Sequence, residues 1–213
     1  MNYDNKPQGY YSNIRPEMLK YLPKNSSTII DIGCADGSFG RLIKEKIQAE
    51  VWGIEYRIEE AEKAEKVLDK VFMGPCEKYL GDLPENYFDV IYFNDILEHL
   101  EDPFIVLKMV KSKLKKNGVV ISSIPNIRYY KAILNLIFQK DWEYQSHGVM
   151  DKTHLRFFTG KSIRRMFEEE GYTILKHEGI NGSSSIRPWI FNIPFLFTQM
   201  DIRFLQYATV AKK

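Results

Sequence analysis

The sequence predicts an α/β domain built on a doubly wound, mostly parallel sheet. Three observations support this fold class: short apolar runs alternate with segments of helical spacing, the first run ends in a glycine-containing turn, and two long strand-like segments close the chain. Strands that alternate with helices are typical of a parallel sheet covered on both faces. Seven such runs can be counted, so we expect seven strands.

Four strands are expected in the first half of the chain, because short apolar runs there are bounded by turn residues or charges. Apolar residues at helical spacing follow the first two of them, beginning at Phe39 and at Ile58. The predicted strands are Thr28–Gly33, Val51–Glu55, Val71–Met73 and Phe88–Phe93.

The second half continues with a helix that begins at the N-cap pair Asp102–Pro103 and ends at Asn117–Gly118. The segment Pro125–Phe158 then departs from the pattern: it is aromatic-rich and irregular, with one helical piece around Tyr130–Phe138. We interpret Pro125–Phe158 as an inserted lid, called the lid segment below. The remaining predicted elements are a strand at Val119–Ile124, a helix at Lys161–Glu170 stopped by Gly171, and strands at Tyr172–Ile180 and Arg203–Lys212.

Composition excludes disordered and fibrous proteins and gives no sign of a nucleic-acid-binding one. A chain of 213 residues favours one domain spanning 1–213, and 44% hydrophobic with 27% charged residues is close to the globular average. Lys and Arg number 30 against 28 Asp and Glu, and the resulting charge of +2 gives no reason to expect a nucleic-acid partner. The two cysteines, Cys34 and Cys76, form no CxxC pair and are expected to be reduced thiols.

We expect a cytoplasmic protein without a stable membrane span. The segment Met1–Gly9 is polar and has no apolar core of a signal peptide, and no run reaches the ~18 apolar residues that a membrane helix needs. The most apolar tract, Trp189–Phe197, is short and is interrupted by Asn192 and Pro194.

The loop after the first strand points to a ligand site. Gly33 and Gly37 permit a tight turn and a close approach of backbone to a ligand, but the GxGxxG spacing of dinucleotide sites is absent. Asp31 beside this turn would repel a pyrophosphate, so a cationic or zwitterionic ligand is favoured. Glu55 ends the second strand, where a carboxylate can accept two ribose hydroxyls; a solvated loop acid is the alternative.

These segments together resemble the class I S-adenosylmethionine-dependent methyltransferases, and particularly the small enzymes encoded among glycan-biosynthesis and glycosyltransferase genes. The resemblance implies a Rossmann-like methyltransferase fold with S-adenosylmethionine as cofactor. The segments that carry it are Ile29–Gly40 (IIDIGCADGSFG), Val51–Glu55, Phe88–Pro103 (FDVIYFNDILEHLEDP), Ser123–Tyr130, Thr153–Thr159 and the lead-in Tyr10–Pro23.

The resemblance also implies which residues hold the cofactor. Glu55 would bind the ribose hydroxyls, Tyr56 would pack near the adenine, and Asn94 would offer its carbonyl to the methionine amino group. Ala35 replaces the usual middle glycine, and Gly74-Pro75-Cys76 stands where an acid commonly binds the adenine amine, so backbone near Cys76 or Glu77 would substitute. The implied cofactor-binding residues are Asp31, Gly33, Cys34, Ala35, Gly37, Glu55, Tyr56, Cys76 and Asn94.

Methyl transfer to a hydroxyl requires a group that accepts the hydroxyl proton. The candidate catalytic residues are His154, Asp151 and His99, and a structural cap is the alternative role for His99. His147 is a weaker candidate, and His177 on a late strand is expected to be exposed. No HxxxH or CxxC spacing occurs, so the sequence predicts no metal site.

Three functions remain open from the sequence. The first is methyl transfer to a hydroxyl of a sugar, sugar nucleotide or glycan intermediate; the second is methylation of a small aromatic or quinone-like acceptor; the third is a cofactor-binding module without catalysis. Planar and cationic side chains of the lid segment suit a sugar or a phosphate, and they equally suit a hydrophobic lid core. These side chains are Arg128, Tyr129, Tyr130, Trp142, Tyr144 and Arg156.

The tract within Arg187–Met200 holds seven large apolar side chains in nine positions, which cannot all lie on one face of a helix. We expect an irregular stretch with a short helix, because Pro194 cannot lie in a helix interior. Three coverings are open: the domain's own lid, a homodimer partner, or a membrane or lipid-linked acceptor.

Overall fold

The computed structural model describes residues 14–213, and these form one seven-stranded sheet. The strands are β1 (Thr28–Ile32), β2 (Glu50–Glu55), β3 (Lys70–Met73), β4 (Phe88–Asn94), β5 (Leu114–Pro125), β6 (Thr173–Gly182) and β7 (Phe204–Lys212). Their order is β3-β2-β1-β4-β5-β7-β6; β7 runs antiparallel to both neighbours and the other pairs are parallel. The predicted fold class is therefore confirmed. The segment Met1–Gly9 and the first four residues of the lead-in, Tyr10–Asn13, lie outside the described residues.

Helices cover both faces of this sheet. They are α1 (Ser38–Lys46), α2 (Ile58–Ala64), α3 (Cys76–Tyr79), α4 (Pro103–Lys113), α5 (Tyr130–Leu134), α6 (Gly160–Glu169) and α7 (Arg187–Asn192). Consecutive residues of β1 belong to different cores: Ile29 packs in one buried cluster with Ile43 of α1, and Ile30 packs in the other with Leu107 of α4 and Phe167 of α6. This alternation follows from the period of two in a strand, and it explains why the adjacent residues Ile29 and Ile30 are both apolar and buried.

The junction between α4 and β5 differs from the prediction. The sequence places the end of this helix at Asn117–Gly118, whereas α4 ends at Lys113 and β5 already begins at Leu114. Two contacts explain the early end: the Lys113 carbonyl accepts from the Tyr87 backbone N–H at 2.9 Å, and Leu114 pairs with Phe88. A non-local sheet contact therefore overrides the local helical spacing of Leu114.

The strand order reverses between β1 and β4, because β2 and β3 lie on one side of β1 and the later strands lie on the other. In open α/β sheets, ligands bind beyond the carboxyl ends of the strands at such a reversal. The turn that begins at Gly33 and the loop that begins at Asp95 both leave the sheet at this point. The topology therefore brings the two sequence motifs together.

The lid segment is anchored at its ends and exposed in its middle. α5 continues into a single π-helical turn at Asn135–Gln139, which agrees with the predicted helical piece. Asn126 and Phe158 are buried and bridge to each other across the base of the segment. Residues 136–148 are exposed without interruption.

The apolar tract forms α7 and a 3₁₀ turn at Ile193–Phe195, as the interruption by Pro194 predicts. Asn192, rather than an apolar residue, is its buried centre: its Nδ2 donates to the Pro188 carbonyl at 2.9 Å and its Oδ1 accepts from the Gln199 backbone N–H at 2.9 Å. Of the three coverings that the sequence left open, the domain's own lid does not cover most of the tract's apolar side chains within residues 14–213. Those exposed are Trp189, Ile190, Ile193, Phe195, Leu196 and Phe197.

No helix within residues 14–213 combines the length and the apolar character that crossing a membrane requires.

Candidate active site

A cleft of about 1250 Å³ opens at the carboxyl ends of β1, β2 and β4. Eight of the nine predicted cofactor-binding residues line it, and Gly37 does not. Gly37 instead precedes α1 with φ of 79°, and a Cβ there would lie 3.1 Å from the Ala64 Cα. The structure therefore gives Gly37 a role in packing α1 against α2 and leaves the other eight at the cleft.

The turn after β1 is held by β2. The backbone N–H groups of Gly33 and Cys34 both donate to the Ile54 carbonyl, at 2.8 and 3.2 Å. A Cβ on Gly33 would lie 2.1 Å from Cδ1 of Ile96, so a side chain is excluded unless Ile96 moves. Ala35 adopts φ of 46°, a left-handed conformation that costs an alanine about 1–2 kcal/mol.

Glu55 fixes this turn from the end of β2. Its Oε2 accepts from the Ala35 backbone N–H at 2.9 Å, and its Oε1 accepts from the Arg57 backbone N–H at 2.8 Å. Burial raises the pKa of Glu55, and the two backbone N–H groups oppose that rise. Each oxygen retains a lone pair that can accept a hydroxyl. Glu55 is thus a structural acceptor and a candidate ribose ligand.

Buried polar groups without protein partners mark the centre of the cleft. Among residues 14–213, Oδ1 of Asp31 and both the amide nitrogen and the oxygen of the Asn94 side chain are buried and lack a hydrogen bond. Burial, and then the charge of Glu55, raise the pKa of Asp31 to about 8. Buried polar atoms are normally paired, so these groups fit a polar ligand that carries a positive charge.

The loop after β3 closes the far end of the cleft. Gly74, Pro75, Cys76 and Glu77 all line it, together with the exposed ring of Tyr56. Burial raises the pKa of the Cys76 thiol, which keeps it neutral. The sequence expectation that backbone near Cys76 or Glu77 takes the place of the missing acid is compatible with this arrangement.

A buried ionic network, which sequence reasoning missed in part, lies beside Asn94. Arg15 forms an ion pair with Asp95, and its Nη2 donates to Oε1 of Gln206 at 2.8 Å. Nε2 of Gln206 in turn donates to Oδ1 of Asp95 at 2.6 Å. Arg15, Asp95 and Gln206 all line the cleft. No spacing signal relates three residues so far apart, and Arg15 lay only within the lead-in motif.

Two histidines from distant segments meet at the cleft. The rings of His99 and His154 are 4.8 Å apart at an angle of 73°. Nδ1 of His99 is 3.0 Å from the Thr153 carbonyl, and Nδ1 of His154 is 3.1 Å from the Val149 carbonyl. The structure therefore brings two of the three predicted catalytic residues together, and both line the cleft.

Glu98 lies beside these histidines and was not predicted. Only 1% of Glu98 is exposed, and neither of its carboxylate oxygens has a hydrogen-bond partner among the described residues. Burial raises the pKa of Glu98 to about 8. Nε2 of His154 is 3.9 Å from Oε1 of Glu98. The motif EHL holds Glu98 next to His99, but only the packing of the lid segment reveals its proximity to His154.

Asp151, the third predicted catalytic residue, is buried and does not line the cleft. Its Oδ1 accepts from the backbone N–H and the hydroxyl of Thr153, at 2.9 and 2.7 Å. The His154 backbone N–H donates to the Asp151 carbonyl at 3.0 Å. Asp151 thus shapes the turn that presents His154.

Other lid side chains lie away from the cleft. Arg128 forms an ion pair with Asp201 at 2.5 Å, and Nη2 of Arg156 donates to the Glu101 carbonyl at 2.6 Å. Neither interpretation describes all six side chains: Tyr130 is buried, whereas Trp142 and Tyr144 are exposed away from the cleft. The six side chains that do not line the cleft are Arg128, Tyr129, Tyr130, Trp142, Tyr144 and Arg156.

His177 is half-buried rather than exposed, which corrects its expected position. Its ring stacks on Tyr207 at 4.8 Å and 4°, and its Nδ1 is 2.9 Å from the Thr209 hydroxyl. Pairing of β6 with β7 places these side chains side by side.

Comparison with known proteins decides the family. The profile of the family described as "Methyltransferase domain" matches residues 3–177. The chain belongs to this methyltransferase family. Family membership assigns methyl transfer as the chemistry typical of the matched residues, and the family and fold imply S-adenosylmethionine as the cofactor.

Curated relatives of this methyltransferase differ in what is known of them. It is 28% identical over 194 residues to an uncharacterized methyltransferase of Schizosaccharomyces pombe, covering 82% of this chain and 64% of that protein. It is 34% identical over 119 residues to an uncharacterized protein of Haemophilus influenzae, covering 51% and 46%. It is 26% identical to the ubiquinone biosynthesis O-methyltransferase of Aeromonas salmonicida, covering 79% and 74%. The chain thus spans less than two thirds of the first two relatives.

Solved structures support the same fold. A SAM-dependent methyltransferase from Archaeoglobus fulgidus superposes with a TM-score of 0.69 at 22% identity, covering 93% of this chain and 92% of that one. One from Mesorhizobium loti gives a TM-score of 0.65 at 17% identity, covering 93% and 96%. The glycan-associated subgroup of the resemblance stays a prediction.

Proposed function

We propose that this methyltransferase transfers a methyl group to a hydroxyl of a sugar, sugar nucleotide or glycan intermediate. The observation that carries the proposal is the meeting of His99 and His154 at a cleft whose other end has the residues expected to bind the cofactor. The pair supplies a means to remove a hydroxyl proton at the place where the acceptor would enter.

The residues of this chain fit the cofactor at three points. The buried Asp31 carboxyl and Asn94 would hold the charged methionine end, Glu55 the ribose, and Tyr56 the adenine. When bound, S-adenosylmethionine supplies a methyl group attached to a positively charged sulfur, which is already activated for transfer. Catalysis by the protein then consists mainly of positioning and of proton removal.

The histidines suit proton removal because of their tautomers. A carbonyl accepts only, so Nδ1 of each neutral ring carries the proton: toward Thr153 in His99, and toward Val149 in His154. Nε2 is then the basic nitrogen of both rings. A positioned general base contributes typically 10²–10⁴-fold to rate. Asp151 supports the turn that carries His154 and takes no proton in this proposal.

Polar side chains in one part of the cleft favour a sugar-like acceptor, although apolar atoms contribute more of the lining than polar atoms do. Within residues 14–213 the Phe, Tyr and Trp rings that line the cleft are Phe39 and Tyr56. Carboxylates, amides and guanidinium groups bind hydroxyls and phosphates through directed hydrogen bonds. The polar residues meant here are Arg15, Glu17, Asn181 and Gln206.

A small aromatic or quinone-like acceptor is the second candidate. It is favoured by relatives named ubiquinone biosynthesis O-methyltransferase, such as the Aeromonas salmonicida protein at 26% identity. The exposed apolar tract at Trp189–Phe197 would suit an acceptor that carries a lipid tail.

Transfer of labelled methyl groups tests both candidates. The full chain is incubated with methyl-labelled S-adenosylmethionine and cell extract, which is then divided into a polar glycan fraction and an organic extract. We expect label in the polar fraction, at least tenfold less of it with His154→Gln, and little change with His147→Gln, an exposed histidine of the same cleft. Label confined to the organic extract would support the aromatic acceptor. Unlabelled fractions from a protein that binds the cofactor product would contradict both.

A further inference from the structure

We propose that Glu98, His99 and His154 form a binding site for a divalent transition-metal ion at the wall of the cleft. One ligand atom from each residue lies within 4.8 Å of the other two. Two of the residues are adjacent in the sequence and the third lies in the lid segment, so spacing along the chain gave no sign of the group. The site is independent of the residues assigned to the cofactor.

The distances require only small adjustment to hold an ion. Ligand atoms around a tetrahedral ion with bonds of about 2.1 Å are separated by about 3.4 Å. Nε2 of His154 and Oε1 of Glu98 are 3.9 Å apart. One imidazole nitrogen from each histidine and one carboxylate oxygen of Glu98 all lie within 4.8 Å of one another. Side-chain rotations that move the ligand atoms by about 1 Å or less would therefore bring all three within bonding distance of one ion.

The hydrogen bonds of the imidazoles favour metal binding. In both rings, Nδ1 donates to a backbone carbonyl, of Thr153 for His99 and of Val149 for His154. This fixes the tautomer in which Nε2 holds the lone pair. Histidines that bind metals commonly donate their other N–H in this way, because the bond orients the ring and raises its basicity.

Glu98 supplies the second, independent indication. Glu98 is only 1% exposed, and neither of its two buried carboxylate oxygens has a hydrogen-bond partner among residues 14–213. A buried carboxylate of this kind is costly unless a cation or donor compensates it. The backbone at Glu98 is also fixed to the lid segment, because the Glu98 carbonyl accepts from the backbone N–H groups of Leu155 and Arg156 at 2.9 and 3.1 Å.

Two imidazoles and one carboxylate define the kind of ion. Imidazole suits Zn²⁺, Cu²⁺, Fe²⁺ and Ni²⁺, whereas Mg²⁺, Ca²⁺ and Mn²⁺ prefer oxygen ligands. Three protein ligands do not fill a coordination sphere of four to six, so a further position remains for water or a hydroxyl oxygen. We therefore expect micromolar or tighter binding of Zn²⁺ and much weaker binding of Mg²⁺.

The role of the ion rests on the proposed function. All three ligands line the cleft where the acceptor would enter, and a metal ion lowers the pKa of a hydroxyl or water that it binds. The histidines would then act on the acceptor as ligands of the ion rather than as bases. The presence of the site, in contrast, can be tested without any methyl acceptor.

Calorimetry on the chelator-stripped full chain tests the site. We expect one Zn²⁺ per chain, binding at least tenfold weaker in Glu98→Gln and in His154→Ala, and unchanged binding in His147→Ala. Co²⁺ added to the wild-type protein should produce visible absorption bands of a histidine-coordinated ion, and Glu98→Gln should alter them. Binding of S-adenosylhomocysteine, measured on the same samples, reports separately whether the fold and the cofactor site are intact.

Equal Zn²⁺ affinity in wild type and Glu98→Gln, or a loss of affinity only in His147→Ala, would overturn the proposal. Should His154→Ala fail to fold, the near-isosteric Glu98→Gln and the Co²⁺ spectrum of the wild type still decide it. Zn²⁺ binding without methyl transfer would retain the site and contradict the proposed acceptor; methyl transfer that survives chelation, with no Zn²⁺ bound, would do the reverse.

Discussion

At the scale of single residues, two buried carboxyl groups that lie close to each other, Asp31 and Glu55, line the cleft. Asp31 is 2% exposed, and burial together with the charge of Glu55 raises its pKa to about 8. Glu55 accepts two backbone N–H groups, whereas Oδ1 of Asp31 has no partner among residues 14–213. The two acids therefore differ in role: Glu55 fixes the backbone at Ala35 and Arg57, whereas Oδ1 of Asp31 is available to accept a hydrogen bond from a ligand.

The raised pKa of Asp31 predicts a dependence of stability on pH. The unfolded chain releases this proton near pH 4 and the folded protein retains it to about pH 8, so Asp31 lowers the free energy of unfolding as pH rises between these values. Asp31→Asn removes this contribution. We expect the variant to gain stability relative to wild type from pH 5 to pH 8, by up to ~1.4 kcal/mol per pH unit.

Urea denaturation of the cofactor-free proteins across this range measures the difference. Glu98, whose pKa is also raised to about 8, is present in both proteins and cancels in the comparison. A difference in unfolding free energy that stays constant from pH 5 to pH 8 would show that Asp31 is ionised in the folded protein.

Glu55→Gln should weaken cofactor binding. The amide retains one acceptor oxygen but cannot serve both the Ala35 and Arg57 N–H groups and the ribose hydroxyls, a loss of about 1–3 kcal/mol. We expect the dissociation constant of S-adenosylhomocysteine to rise roughly ten- to hundredfold in calorimetry. Glu62→Gln, an exposed acid of α2, is the control and should bind as wild type does. Unaltered affinity in Glu55→Gln would mean that the ribose lies elsewhere.

At the scale of elements, the lid segment combines a fixed frame with an exposed loop. The bridge between Asn126 and Phe158 closes the base of the frame, and the Asn126 backbone N–H ties it to the sheet by donating to the Leu205 carbonyl of β7 at 2.9 Å. The turn from Asp151 to His154 is buried. Residues 136–148 lack buried positions. The backbone of Gln145 pairs with Met150 and Lys152 of the frame, at 2.8 and 2.9 Å, so residues 136–144 are the part of the loop that can open without disturbing His154.

Hydrogen exchange should distinguish these two parts of the lid segment. We expect amides of residues 136–148 to exchange far faster than those of β4, which is buried on both faces, and amides of residues 149–158 to be intermediate. Addition of S-adenosylhomocysteine should slow exchange in the loop if the cleft closes over it. Protection of residues 136–148 equal to that of β4 in the free protein would exclude a mobile lid.

At the scale of the whole molecule, the apolar tract Trp189–Phe197 is a surface that the described part of the chain, residues 14–213, leaves largely uncovered. Leu196 is 84% exposed, and the nearest ring partner of Trp189 is Phe197 within the same tract, at 6.1 Å. Exposed apolar side chains gathered in one segment are typical of a contact with another molecule. A homodimer and a membrane or lipid-linked acceptor remain as coverings.

We predict that the tract mediates a homodimer. Phe195→Asp places a charge among the exposed apolar side chains and should shift the protein toward monomer in sedimentation velocity, with an unchanged circular dichroism spectrum. Leu175→Asp, at an exposed apolar position on β6 outside the tract, is the matched control and should leave the sedimentation coefficient unaltered. A wild-type monomer that floats with liposomes would replace the dimer by a membrane contact, and a monomer that does not float would exclude both.

The sequence alone predicted the sheet class and most of the residues that line the cleft around the turn after β1. Apolar runs and helical spacing are local properties, so they predicted the seven strands, and the Gly33 turn and Glu55 lie within a few residues of the strands that position them. The early end of α4 was missed, because the pairing of Leu114 with Phe88 is a sheet contact that local spacing does not encode.

Only the tertiary structure shows which residues lie around His99 and His154 in the cleft. In the folded chain, His154 lies beside Glu98 and His99, from which more than fifty residues separate it. Asp151 is buried and does not line the cleft, and Arg15 forms an ion pair with Asp95. It also turned the aromatic side chains of the lid away from the cleft. Contacts of this kind depend on how whole segments pack after the sheet has formed. No spacing along the chain specifies them, because each residue's partner lies on a different segment.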